Sequence, residues 1–247
     1  MVSNLTHVAS RTGALPPGQR RVDGFPRFGT HVQRPPPAVP ATPMIEVDGA
    51  VTRPFALPLA ELATLPRRAM TADFHCVAGW SATGLRWEGV AFEQLYRAVL
   101  EPALRPGAVV THVVLGGLDG YRSVLSLEDA LAEDVLVADR LDGRPLDGNH
   151  GAPARLVSPA QYGYVSTKHL CRTELRTTGP RMNFGASSSL VRTLMRPPLF
   201  SRHPRSRVWE EERNGALPNW FVRPVYRLLT PPLRLVCALG SRPRSQG

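Results

Sequence analysis

Proline and glycine interrupt this chain at short intervals from one end to the other. Its 247 residues include 25 Pro and 21 Gly. Because proline ends helices and glycine supplies the backbone angles of tight turns, this density favours short elements over long helices. A hydrophobic content of 43% is sufficient for one sizeable core. We therefore expect a β-rich α+β fold with mixed elements and long loops.

Hydrophobic patterning places the predicted elements along the chain. Strands are predicted within 44–51, 71–81, 108–117 and 135–146 and around the segments ARLVS and CRTELRT. Helices are predicted over 57–66, over 87–104 and after Ser126, which has the capping partner Asp129 three residues on. The chain then divides into an N-terminal arm (1–43), a central domain (44–178) and a C-terminal extension rich in Pro and Arg (179–247).

The positive charge of the chain is concentrated in the extension. Of a net charge of +10, most lies within residues 181–247, which hold 12 Arg and three acidic residues. The central domain is close to neutral, so we expect no nucleic-acid partner. Two interpretations of the extension stay open. It either packs over the core or makes a peripheral contact with an anionic membrane surface or a protein partner.

Cysteine usage and the N-terminus indicate the compartment and the cofactors. The three cysteines are widely spaced and no CxxC occurs, so neither a disulfide framework nor an attached haem is expected. The N-terminus lacks the apolar segment of a secretory signal, and no run of about 18 apolar residues could span a bilayer. We expect a cytoplasmic protein.

Cys76 stands in the segment TADFHCVAGWS and allows several interpretations. A nucleophilic cysteine needs an imidazole as base, but His75 is adjacent, and neighbouring side chains on a strand point to opposite faces. A zinc site needs further ligands at a usual spacing, which are not found. On residue type alone, a buried structural cysteine is the favoured interpretation.

Lys168 is the only lysine among 30 basic residues. A biased composition explains a single lysine without any special role. Alternatively, this position requires a compact ammonium on a flexible stem rather than a planar guanidinium.

Three segments, taken in order, resemble the molybdopterin-binding domain of the sulfite oxidase family. They are HCVAGWSATGLRWEGVAFEQL, DGYRSVLSLEDAL and HGAPARLVSPAQYGYVSTKHLCRTEL. The resemblance covers residues 24–178. Within the family, the sequence is most similar to the bacterial branch that includes methionine-sulfoxide-reducing enzymes. The resemblance implies a molybdenum–molybdopterin cofactor with Cys76 as the protein's ligand to the metal. A thiolate is a soft donor suited to such a centre.

The resemblance also implies which residues hold the cofactor. The anionic phosphate of the cofactor would be bound by cationic and hydroxyl side chains, and residues beside the metal ligand would contact the rest of it. The residues that match the family's positions are Arg155, Lys168 and His150. Ser166 and Thr167 lie in the same loop as Lys168, and His75 lies next to Cys76, so we expect them to line the cofactor as well. The arm segment GFPRFGT resembles the stretch that folds over the cofactor and contributes Arg27 and Phe28.

Tyr121 corresponds to an active-site tyrosine of the family and is expected to face the substrate as a catalytic residue. The implied reaction is a two-electron oxygen-atom transfer on a small substrate, an S- or N-oxide or a sulfite-like anion. Since no haem motif is seen, a separate electron-transfer partner is expected. The alternative is a non-catalytic module that binds a cofactor or partner, associated with a membrane surface through the basic extension.

Overall fold

The computed structural model describes residues 14–28, 35–179 and 203–240. Within these residues eleven strands form two sheets with short helices between them, which confirms the α+β expectation. The strands are β1 (Arg20–Arg21), β2 (Met44–Gly49), β3 (Phe55–Pro58), β4 (Arg67–Cys76), β5 (Trp80–Ala91), β6 (His112–Gly117), β7 (Arg122–Ser126), β8 (Leu136–Leu141), β9 (Arg144–Pro145), β10 (Arg155–Val157) and β11 (Leu170–Arg176).

The first sheet is built around the long hairpin of β4 and β5. Its order is β1-β5-β8-β10, with β4 paired to β5 and β9 paired to β8. The hairpin turn spans 77–79 and brings Cys76 opposite Trp80. Gly79 takes a φ of 89° there and donates its N–H to the Cys76 carbonyl at 2.9 Å. This left-handed conformation is the reason a glycine is required in the turn.

The second sheet has the order β3-β2-β11-β6-β7. Strand β2 pairs parallel to β11, and the other pairs are antiparallel. The predicted strands at 44–51, at 108–117 and around CRTELRT all form within this sheet. Their Val, Ile and Leu side chains point inward, as the β-branched composition indicated.

The helices of the described residues are short except for the last. A 3₁₀ helix covers Leu59–Thr64, and α1 (Phe92–Leu95) continues as a π turn (Tyr96–Leu100) and a 3₁₀ turn (Glu101–Ala103). The helices α2 (Leu127–Ala130) and α3 (Asn219–Gly240) follow. None of the helices in the described segments is long and apolar enough to cross a membrane.

One helix prediction is corrected, one helix was not predicted, and one helix cap is confirmed. The helix predicted over 87–104 begins only at Phe92, because residues 87–91 pair with β8 as the end of β5. Helix α3 was not predicted, since its prolines disfavour a helix interior. Ser126 does cap α2, because its hydroxyl oxygen accepts the Asp129 N–H at 3.1 Å.

The two faces of the first sheet belong to two hydrophobic cores. One face packs with the second sheet and α1, and Val90, Val137 and Leu156 project into that core. The other face forms a second core that includes Met70, Cys76, Trp80, Trp87 and Leu136. Side chains from both ends of the chain cover this second core, namely Val22, Phe25, Phe28 and Tyr226. The candidate site lies in this second core.

Candidate functional site

Cys76 ends β4 and lies 7% exposed in the second core. Two hydrogen bonds fix the backbone of Cys76. The Cys76 carbonyl accepts the Gly79 N–H and the Gln19 side-chain amide, the latter at 3.0 Å. Gln19 comes from the arm, so a contact across 57 residues fixes the backbone of the cysteine. Because the backbone carbonyl of Cys76 is already hydrogen-bonded, any chemistry at this residue involves its thiol.

His75, Ser81 and Gln19 form a buried hydrogen-bonded chain beside the cysteine. Ser81 donates its hydroxyl to Gln19 Oε1 at 3.1 Å, so it accepts from His75 Nδ1 at 2.8 Å. Burial lowers the pKa of His75 to about 4, so the imidazole is neutral at physiological pH. The ring therefore supplies hydrogen-bonding geometry next to Cys76 and no positive charge.

Arg213 secures the same turn from the C-terminal segment. It is 2% exposed, donates from Nη1 to the Val77 carbonyl at 2.7 Å and donates from Nη2 to the Pro17 carbonyl at 3.2 Å. Its guanidinium carbon lies 5.3 Å from the centre of the Tyr162 ring. Sequence reasoning missed this residue, because no local motif separates it from the other arginines of the extension.

Arg155 is a fully buried guanidinium surrounded by carbonyls and aromatic rings. It donates to the backbone oxygens of Leu156, His150 and Ser166. Its guanidinium carbon lies 5.2 to 5.7 Å from the ring centres of Trp87, Phe74 and Phe25. Among the described residues no carboxylate lies within ion-pair distance of it, and burial lowers its pKa to about 9. Three carbonyls and three aromatic rings therefore surround this charge, and an anion that bound beside it would neutralise it.

Lys168 lies next to Arg155 in the same loop cluster. Its Nζ donates to the Asn149 carbonyl at 2.8 Å. Its pKa is lowered to about 7, first by burial and then by the charges of Arg155 and Arg27. Arg27 of the arm therefore lies close enough to act on this ammonium.

Gly151 allows the two cations to approach each other. Its φ is 111°, and a Cβ there would lie 3.1 Å from the Lys168 Cβ and 3.2 Å from the Arg155 Cβ. Few other residues adopt this backbone conformation. The close packing of Arg155 and Lys168 therefore requires a glycine at position 151.

The arm inserts an aromatic side chain that sequence reasoning did not select. Phe25 stacks on His150 with a centroid separation of 5.0 Å and lies edge-on to Trp87 at 5.7 Å. His150 Nε2 donates to the Phe25 carbonyl at 2.9 Å, and its Nδ1 pairs with Asp147. The predicted Phe28 packs edge-on against Trp80 at 5.8 Å.

The remaining predicted residues lie at the edges of the site. Ser166 and Thr167 are buried, and their hydroxyls bond to the Ser158 N–H and to Ser123 Oγ. Tyr121 donates its hydroxyl to the Tyr164 carbonyl at 2.7 Å. Gly163, the residue before Tyr164, donates its N–H to the His75 carbonyl at 2.7 Å. Tyr121 is therefore linked through the segment 163–164 to the strand that carries Cys76.

The donor set of the site fits an anionic group rich in hydrogen-bond acceptors. Arg155 and Lys168 provide two cations, and the buried indole N–H groups of Trp80 and Trp87 have no acceptor among the described residues. Within that part of the chain no cluster of three or more His, Cys, Asp or Glu side chains could bind a metal. A metal at Cys76 would therefore need ligands that the cofactor itself supplies, as the dithiolene sulfurs of a molybdopterin would.

Comparison with known proteins defines the class of the chain. Residues 31–184 match the family model described as "Oxidoreductase molybdopterin binding domain". The chain belongs to this family, which confirms the resemblance drawn from the three sequence segments. Membership implies an enzyme of the oxidoreductase class that works with a molybdenum cofactor.

A curated relative agrees with this class. The uncharacterized oxidoreductase YuiH of Bacillus subtilis is 33% identical over 168 residues, which cover 67% of this chain and 80% of that protein. Among solved structures, the sulfane dehydrogenase SoxCD of Paracoccus pantotrophus is similar over 55% of this chain and 38% of that chain. The TM-score is 0.47 and the identity 21%, and this likeness supports no statement about activity.

Proposed function

We propose that the protein is a molybdenum-cofactor-dependent oxidoreductase that transfers an oxygen atom to or from a small substrate. The observation that carries the proposal is the fully buried Arg155, which has no carboxylate at ion-pair distance among the described residues and lies beside the core that contains Cys76. Such a charge is strongly destabilising unless an anion neutralises it. The anionic pterin of the family is a chemically suitable partner.

Each residue of the site has a distinct part in the proposal. Cys76 supplies the thiolate ligand, and Arg155 and Lys168 bind the anionic end of the cofactor. The indole N–H groups of Trp80 and Trp87 donate to its polar atoms, and Phe25 and Phe28 exclude water from the arm side. The cofactor supplies the two-electron redox chemistry when it is bound.

The surroundings of Cys76 favour a neutral oxo compound as substrate. The two residues before Cys76 are Phe74 and His75 rather than arginines. A dianion such as sulfite would need positive charge at this position. We therefore place S-oxides and N-oxides ahead of sulfite-like anions. Tyr121 donates its one hydroxyl proton to the Tyr164 carbonyl, so in this proposal it releases that contact when it donates to the substrate oxygen.

The electrons of the cycle require a second protein in this proposal. The sequence contains no CxxCH haem-attachment motif. We propose a separate redox protein, which an electrostatic attraction to the basic chain would guide. A cytoplasmic location stays part of the proposal.

Elemental analysis tests the assignment of Cys76. The protein is purified from a host with a working cofactor pathway, alongside Cys76→Ala and the control Cys171→Ala, whose cysteine lies outside the second core. We expect close to one molybdenum per wild-type and Cys171→Ala chain and a large loss in Cys76→Ala with the fold preserved. Equal molybdenum in all three chains would overturn the assignment.

Turnover then separates an enzyme from a binding module. Dye-reduced protein is mixed with a sulfoxide or an N-oxide, and reoxidation is followed. Protein that retains molybdenum but shows no reoxidation by any of these acceptors would contradict oxygen-atom transfer and favour the non-catalytic alternative.

A further inference from the structure

Helix α3 is attached to the core by one of its faces. Val222 is fully buried, and Tyr226, one helical turn later, packs against the second core. Arg223 forms an ion pair with Glu211 of the preceding segment. The first two turns of α3 are therefore fixed relative to the rest of the protein.

Over residues 219–228, the opposite face of α3 is apolar and lies in water. Trp220 is 74% exposed, Leu228 is 77% exposed and Phe221 is 48% exposed. Pro224 is exposed between them. At about 100° per residue, Trp220, Pro224 and Leu228 lie roughly 160° to 240° around the helix axis from Val222. They form one continuous stripe, which we call the outer stripe.

Such a stripe contradicts the usual pattern of a surface helix. A helix that packs one face on a core normally presents polar residues on the other. Single exposed apolar residues are ordinary, and Val109, 73% exposed and outside α3, is an example. A contiguous exposed apolar surface that includes a tryptophan instead marks a place where something binds.

The charge of the segment indicates what covers the outer stripe. From residue 213 to the end the chain contains six Arg and no Asp or Glu. Arg227 is exposed and lies at the border of the stripe, about 140° from Val222. Tryptophan beside arginine is the composition of helices that lie in the interface of anionic membranes. A second copy of the chain is a poorer partner, because each copy carries a charge of +10.

We propose that α3 docks the protein onto an anionic lipid surface. The outer stripe would enter the boundary between headgroups and acyl chains, and Arg227 would meet the lipid phosphates. Because Tyr226 ties α3 to the second core, the docked protein would present its site to the membrane in a fixed orientation. This inference does not depend on the proposed reaction.

Vesicle sedimentation with the full-length holoprotein tests the docking. We compare vesicles of phosphatidylcholine with vesicles that also contain phosphatidylglycerol. We expect binding to the anionic vesicles, and a loss of roughly tenfold or more in the Trp220→Ser/Leu228→Ser double variant, because two large apolar side chains no longer leave water. Arg227→Glu should weaken binding most at low salt. The matched control Val109→Ser removes an equally exposed side chain and should bind like wild type.

Several results would overturn the docking. They are equal binding by wild type and double variant, equal binding to neutral and anionic vesicles, or no vesicle binding at all. A dimer in solution that the double variant dissociates would assign the outer stripe to a second copy instead. The molybdenum content of the double variant should equal that of wild type, so a failure here is distinct from a failure of the Cys76 assignment.

Discussion

The surroundings of Lys168 disfavour the charged form of its amino group. In the folded, cofactor-free protein its pKa is about 7, against 10.5 for an ordinary lysine. Between these values the unfolded chain binds a proton that the folded chain does not, so the free energy of unfolding rises with pH across this window. Below pH 7 the folded chain carries the full cost of the charge.

This pKa predicts how Lys168→Met changes stability. In cofactor-free protein the variant should unfold at a higher temperature than wild type at pH 6, and the difference should shrink as the pH rises from 7 towards 10. Thermal unfolding measured across this range checks the expectation. A difference that does not depend on pH would show that the pKa of the ammonium is not depressed. In cofactor-loaded protein the same change should release molybdenum.

Arg213 carries a second residue-scale prediction, which concerns the turn after Cys76. Arg213→Ala leaves the Val77 and Pro17 carbonyls without their donor, and we expect lower molybdenum content and a lower melting temperature. Arg213→Lys should restore stability in part but not the two-carbonyl contact, so its thiolate-to-metal absorption band should shift. Arg207→Ala, which removes a partly exposed pair with Asp129, is the control and should keep the wild-type spectrum. Matching spectra in all variants would remove Arg213 from the site.

Sequence reasoning named those residues of the candidate site that belong to continuous motifs. Arg155 and Lys168 were named from the HGAPAR and STKHL segments, and the structure brings them together through Gly151. It did not find Gln19 or Arg213, whose contacts with the turn cross 57 and 136 residues. Neither has a local signal, because a glutamine and one arginine of many become specific only through tertiary packing.

At the scale of elements, the loop 147–154 positions the cation pair. Gly151→Ala places a methyl group against Lys168 and Arg155 and forces a conformation that alanine resists, at a cost of about 1–3 kcal/mol. We expect lower stability together with loss of bound molybdenum. Gly143→Ala is the control, because Gly143 also has a positive φ but a Cβ added there would meet nothing within 4 Å. It should lose some stability and keep its molybdenum.

Strands were easier to predict than helices for a physical reason. Segments such as HVVLGG are rich in β-branched residues and bury one or both faces, so their pattern is unambiguous. In 87–104, Val90 and Leu95 fit a helical spacing by coincidence, because Val90 belongs to β5 and Leu95 to α1. Both point into the same core. Tertiary pairing with β8 decides where the strand ends, and local sequence does not record it.

At the scale of the whole molecule, the C-terminal segment belongs to the fold although the family match ends at residue 184. Arg213, Val222 and Tyr226 all contact the body of the protein or are buried in it. A chain that ends at residue 184 should therefore lose molybdenum and melt at least about 5 °C lower, since each kcal/mol lost lowers Tm by about 2–4 °C in a protein of this size. A chain that ends at residue 240 is the control. Equal melting temperatures of both chains would show that residues 185–240 do not contribute to the stability of the fold.

The closure of the Cys76 turn by Gln19 and Arg213 sets an order of events during biosynthesis. Residues from opposite ends of the polypeptide meet at one hairpin, so the pocket cannot be completed until residue 213 has left the ribosome. Until then, the Val77 and Pro17 carbonyls lack the donors that Arg213 supplies. A prosthetic group that bound before this contact formed would meet a turn whose backbone is held from the arm side by Gln19 alone.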